Sequence, residues 1–292
     1  MIRYSIFIFI IVCLSGCMND IFVEQPDYES KVVVDGWIEN GDYAHVILTK
    51  SSPFLTHYDS ASIRNTFLNY AKVTVTNNKG ESEILTLVRK EEFFPPFIYK
   101  SVMMRGELGG VYDLKIEVEG KLIESTTSIP ELPELLNVTP LAVSDTTMDI
   151  EVLLSDDIAE DRYYYSEIKV KGIDTNFHPS SYPLHSNKSF SSVREKIKVL
   201  RSNQPDPLGI YGIDDNRNIP RYEFLLSDTV YLKFARIDKA SFNVLNDLYI
   251  DQLNSQNPFS FVHKKTNTNI TGGIGRWTGL GTKNYIVMYS DW

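Results

Sequence analysis

Cysteine, positive charge and long apolar runs are all scarce in this 292-residue chain. The two cysteines, Cys13 and Cys17, both lie near the start. Beyond them no thiol is left, so the body of the chain must draw its stability from core burial rather than disulfides. The same shortage excludes thiol catalysis and cysteine-ligated metal there. Lys and Arg number 29 against 38 Asp and Glu, a formal net charge of −9. That balance argues against sequence-independent nucleic-acid binding, which needs a basic footprint, and against a polybasic membrane patch. No apolar run reaches the roughly 20 residues that span a bilayer as a helix.

What is present begins at the first residues. Arg3 precedes an apolar stretch, residues 4–14, rich in Ile and Phe. It is about half the length of a membrane-spanning helix and fits the apolar core of a signal peptide. Leu14-Ser15-Gly16-Cys17 follows directly and resembles the bacterial lipobox, an apolar residue and two small ones before Cys. Small residues let the signal peptidase approach the backbone, and only a thiol can accept diacylglycerol as a thioether. Residues 1–16 are therefore expected to be a lipoprotein signal peptide, with lipid on Cys17 as the sole membrane anchor. Met18, not Asp, follows that cysteine, which favours the outer membrane over inner-membrane retention. Asp20 and Glu24 loosely match an acidic run that directs some lipoproteins to the cell surface.

After a polar tether, residues 17–30, the pattern turns to short strands. Segments 31–39, 44–50, 71–77, 83–89, 98–103, 112–118 and 121–128 are rich in Val, Ile, Thr and Tyr. Several alternate with period two, and Asn77-Asn78-Lys79-Gly80 and Glu119-Gly120 supply hairpin turns. Seven such strands read as an antiparallel β-sandwich over residues 31–128, immunoglobulin-like or transthyretin-like, with no competing helical period. Pro130 and Pro133 mark 129–136 as a stiff linker. The second domain, 137–292, is expected to be β-rich and less regular, with strands at 147–154, 163–171, 229–236 and 283–289. Asp238 is a natural N-cap for a helix over 239–254, where Phe242, Leu245, Leu248, Tyr249 and Leu253 share one face. The fold class is thus mainly β: two sandwiches, the second with one inserted helix.

Chemistry is harder to find. No H-E-x-x-H, G-x-S-x-G or phosphate-binding loop occurs, and no cofactor is implied. His178 and His185 lie near each other without metal-ligand spacing. Asp214-Asp215-Asn216-Arg217-Asn218 alternates oxygen groups like a calcium loop but lacks its glycine and its terminal glutamate. Asp156-Asp157 reads as a solvated turn. Five glycines crowd into 272–281 around Arg276 and Trp277. Their spacing misses the dinucleotide fingerprint, and two readings stay open. One is a close-packed backbone needing positive φ angles, the favoured one. The other is a ligand or partner surface that displays Arg276 and Trp277. The aromatic run 93–99, with Phe94 and Phe97, is either a strand entry or a stacking surface. Residues 172–220 carry prolines and serines with few periodic apolar positions, and read as long loops.

The order of several segments resembles a family of uncharacterised Bacteroidetes outer-membrane lipoproteins, a domain of unknown function. They are Val32-Val33-Val34-Asp35-Gly36-Trp37-Ile38, Ala71-Lys72-Val73-Thr74-Val75, Gly109-Gly110-Val111-Tyr112-Asp113-Leu114-Lys115 and Ile129-Pro130. Near the end come Asn257-Pro258-Phe259, then Asn269-Ile270-Thr271-Gly272-Gly273-Ile274-Gly275 with Trp277 and Gly279. Genes of such proteins often stand beside TonB-dependent receptors, which implies an accessory role in nutrient capture and no catalytic residues to carry over. The expectation is a non-enzymatic binding or scaffolding subunit with a receptor partner and a glycan or peptide ligand. A surface hydrolase with its site in loops 172–220, and a structural envelope protein, are the alternatives.

Overall fold

The computed structural model describes residues 28–52, 60–91, 95–157, 159–201, 223–254 and 267–290. Cys17, the signal peptide and most of the tether lie outside the described residues, as do Phe94, the 214–218 segment and residues 257–259.

The first half contributes eight strands. They are β1 (Val32–Glu39), β2 (Tyr43–Lys50), β3 (Lys72–Asn77), β4 (Ser82–Ile84), β5 (Thr86–Arg89), β6 (Phe97–Arg105), β7 (Val111–Val118) and β8 (Lys121–Ser128). The expected strand 83–89 divides in two. Its start pairs with β3 in one sheet and its end with β6 in the other, while Leu85 turns into the core between them. A short helix, Ser60–Asn65, also interrupts a span in which no helix was expected. Alternation does the rest: Val73 and Val75 of β3, and Tyr112, Leu114, Ile116 and Val118 of β7, all point into one core. Fully burying each such side chain contributes roughly 1.5–3 kcal/mol.

The second half adds β9 (Glu134–Ala142), β10 (Thr147–Ser155), β11 (Tyr163–Val170), β12 (His178–Ser186), β13 (Arg194–Val199), β14 (Phe224–Leu225), β15 (Thr229–Ile237) and β16 (Ile274–Met288). Its core packs Met148, Ile150, Val152 and Leu154 of β10 against Ile168, Val230, Leu232 and Phe234. β12 and β13 lie where loops were expected. Pro179 and Pro183 are tolerated because β12 is the outermost strand of its sheet, where a missing N–H costs no ladder bond. The helix runs over Lys239–Asn254 and is capped as its sequence dictates, with Asp238 Oδ1 accepting the Ser241 N–H at 2.7 Å.

The described strands form a mainly β fold of three sheets. A four-stranded sheet, β4-β3-β7-β8, covers the first core. A second, in which β10 pairs with β13, β14 and β9, covers the second core. The third has eight strands in the order β12-β11-β15-β16-β1-β2-β6-β5 and underlies both. Its continuity depends on β16. Residues 274–280 run parallel to β1, and residues 281–288 run antiparallel to β15. The boundaries expected at 128 and 137 therefore divide the chain without dividing the sheet. Ile129, at the start of the expected stiff linker, is fully buried in the first core, and its backbone bonds both ways with Gly109 and Gly110.

The glycine cluster belongs to this seam. Trp277 is fully buried and is among the largest enclosed side chains of the first core, so it is no displayed surface residue. Its indole N–H donates to the Tyr112 carbonyl at 2.9 Å. Gly36 stands opposite, and a Cβ there would meet the indole ring at 2.8 Å. Gly275 has φ +113°, and a Cβ on it would fall 2.0 Å from the Val34 carbonyl oxygen. Gly279 lets the chain at Ser128 cross over β16, since its Cβ would lie 2.1 Å from the Ser128 oxygen. Backbone crowding explains these glycines.

Candidate functional site

Both cores lie on one face of the eight-stranded sheet, and the opposite face has its own character. Asp35, Trp37 and Glu39 of β1 point to it, as do Arg276, Thr278 and Leu280 of β16 beside them. Tyr163 and Tyr165 of β11 and Ala235 and Ile237 of β15 continue it and pack beneath the helix residues Phe242 and Leu245. The helix covers only part of this face, and the uncovered part forms a cleft.

The cleft is about 320 Å³. Pro183 and Leu184 of β12 form one wall, and Leu245, Leu248 and Tyr249 of the helix form the other. Val33, Val34 and Gly275 lie along its base, where Asp35 and Arg276 supply the charge. Arg276 Nε donates to Asp35 Oδ1 at 2.6 Å, a direct consequence of their register across β1 and β16. The arginine side chain is only 14% exposed, whereas that of Asp35 is 47% exposed. Among the described residues neither Nη of Arg276 has a hydrogen-bond partner. Burial works against the arginine's charge, but Asp35, Tyr165 and Glu167 outweigh it and hold the guanidinium above its usual range. A cation so fixed cannot exchange protons at neutral pH; it can only attract and orient.

Charges continue along this face. Glu39 is buried and ion-paired with Lys233, which stands directly across from Glu167. Burial pushes the Glu167 carboxyl up, while Lys233 and Arg276 pull it down less strongly. Tyr165 donates its hydroxyl to Glu167 at 3.2 Å. The result is a row of alternating charge beside an apolar-walled opening.

Of the four residues proposed from the sequence as a ligand or partner surface, Arg276, Trp277, Phe94 and Phe97, Arg276 alone is placed in this cleft. Trp277 points to the other side of the same strand. Phe97 is half-buried in β6, across from Arg89, and is remote from the cleft. Phe94 and Cys17 are outside the described residues. Part of 172–220 is described, and there His178 Nε2 lies 3.3 Å from Asp174 Oδ2, with Arg201 3.6 Å from the same carboxylate. All three side chains are enclosed: 1% exposed for His178, 5% for Asp174 and 2% for Arg201. Asp156 corrects another expectation. It is no solvated turn residue but is buried, accepting Tyr164 Oη and Arg162 Nη1 at 2.7 Å each. The helix face also differs: Leu248 and Leu253 are exposed, and Ser241, Val244 and Asp247 take the buried side.

Sequence reasoning missed Asp35 and the β12 wall. A signal for Asp35 existed, since a lone carboxylate inside Val32-Val33-Val34-Asp35-Gly36-Trp37-Ile38 requires a partner or water. No signal pointed to Pro183 and Leu184, whose strand looks like loop.

The chain belongs to the family described as domain of unknown function DUF4249, whose model matches residues 19–285. No curated protein matches it.

Proposed function

We propose that the protein is a lipid-anchored outer-membrane lipoprotein of the Bacteroidetes type that binds rather than catalyses. It serves as an accessory binding or scaffolding subunit of a TonB-dependent nutrient-uptake system and is held to the membrane through Cys17. The observation that carries the binding part of this reading is the cleft, formed jointly by both sandwiches on the sheet face that neither core occupies. Its walls are apolar and its charge is confined to one ion pair, in which Asp35 fixes the guanidinium of Arg276, the composition of a binding pocket. The one histidine that lines it among the described residues, His178, has one ring nitrogen against Asp174 and the other against the Pro179 carbonyl, so both are engaged. The anchor part rests on Leu14-Ser15-Gly16-Cys17 and the apolar run before it.

Affinity-tagged protein purified from detergent-solubilised outer membranes tests the partner. A TonB-dependent receptor should come with it in stoichiometric amount; protein that consistently emerges alone overturns that part. Fractionation of Cys17→Ser tests the anchor. The variant should leave the membrane pellet, and unchanged membrane association would remove the lipid from the account.

A further inference from the structure

We propose that the cleft takes a small carboxylate ligand with an apolar body, bound through the two Nη groups of Arg276. The inference rests on the binding reading above and gives that site its ligand chemistry. Asp35 occupies Nε and leaves the other edge of the guanidinium fork without a partner among the described residues. Two parallel N–H groups at the end of a planar fork match the two oxygens of a carboxylate. Asp35 also prevents rotation of the fork, so a ligand meets a donor pair already in position. That lowers the ordering cost of binding. The low accessibility of Arg276 strengthens each bond it makes, because little water competes. The apolar walls then select what accompanies the carboxylate. Leu184, Leu245 and Leu248 offer no partner to a second charge or to a run of hydroxyls. A volume of about 320 Å³ is at the small end for ligand pockets, room for one apolar side chain or short acyl or aryl group. Phosphate is a poorer match, since its third oxygen and second charge would approach Asp35 without a further donor.

Two sources share this chemistry: the free C-terminus of a peptide ending in an apolar residue, and a small organic acid. The test titrates the intact protein with N-acetyl-Leu-Phe and 4-phenylbutyrate, each as free acid and as the neutral amide, by calorimetry. At least one acid should bind at least ~10-fold more tightly than its amide. The stronger acid identifies the source. Arg276→Gln should abolish that preference. Leu248→Asp changes an exposed wall residue, keeps Arg276, and should weaken both acids by a similar factor. Circular dichroism confirms that each variant is folded. Equal binding of acid and amide, or a preference that survives Arg276→Gln, overturns the proposal, as does no binding of either acid. Receptor co-purification is scored separately. A protein that brings a receptor but binds no acid keeps its accessory role and loses this ligand, and the reverse result does the opposite.

Discussion

Replacing Trp277 by alanine should loosen the first sandwich while the second stays closed, although Trp277 belongs to β16, the last of the described strands. The indole is fully enclosed and lies against Gly36, whose missing side chain makes room for it. Truncating a buried Trp costs about 3–5 kcal/mol, through lost transfer energy and the void left behind. The Tyr112 carbonyl also loses its donor, for roughly another 1 kcal/mol. Domain stabilities run to about 5–15 kcal/mol, so the loss is a large part of what holds the first half together. Residues 281–288 should remain paired with β15, because Trp277 makes no contribution to the second core. Native-state hydrogen exchange reads both halves at once. Amides of β1, β2 and β7 should lose protection by about 4–6 kcal/mol, and those of β10, β11 and β15 by less than about 1 kcal/mol. Trp277→Phe, which keeps most of the volume, should cost less than half as much. Equal losses in the two halves, or a loss below about 1 kcal/mol in β1, would refute the assignment of Trp277 to the first core.

Further outcomes follow from other contacts. Gly279→Ala puts a methyl group against the Ser128 backbone, which cannot swing aside as a side chain would, so a loss of about 3 kcal/mol or failure to fold is expected in urea titration. Wild-type stability would exclude the crossing. Glu83 is buried and its carboxylate accepts the N–H groups of Val102, Met103 and Met104, so Glu83→Ala should lower stability by about 2–4 kcal/mol, and Glu83→Gln by less. Equal effects of the two would argue against these bonds. Burial, helped by Lys100, holds His45 down to about 4, and burial alone does the same for His185, against an ordinary 6.5. The unfolded chain then takes up more protons between those values, so stability is full above about pH 6.5 and falls toward pH 4, by up to about 3 kcal/mol per ring. Glu167 and Asp228, pushed up by burial, act in the opposite sense, giving stability that is lost as pH rises through their folded values. Urea midpoints at pH 7 and 4.5 check the balance for the imidazoles: His185→Gln should flatten the slope, and an unchanged slope refutes its part.

The strands and the long helix were legible because each is a local matter. Period-two alternation in β3 and β7 reflects one wet face and one dry one, and Asp238 caps the helix from the adjacent residue. What escaped was long-range. The sequence 272–281 contains enough glycine to suggest a turn, and only the approach of Val34 and Ser128 reveals why a strand needs them. β12 escaped because its prolines, disfavoured inside a sheet, are acceptable at a sheet edge. The cleft was half legible. Arg276 stood out in its odd glycine setting, but Asp35 is 241 residues away and the walls come from two further elements. The buried Asp156, next to its solvated-looking neighbour Asp157, shows the same limit. Its partners Arg162 and Tyr164 become visible only once β11 has been placed.

Sharing the last strand also sets an order in time. Gly36 is synthesised, and in an exported chain crosses the membrane, long before Trp277, and until then the first sandwich lacks both a second neighbour for β1 and the largest piece of its core. The early half must therefore wait with β1 exposed along one edge, a state prone to wrong pairing. A chain that stops short of residue 274 cannot finish even the portion it already contains. Complete synthesis is in this way built into the folding of the part made first, and a prematurely ended copy announces itself by remaining open from its beginning.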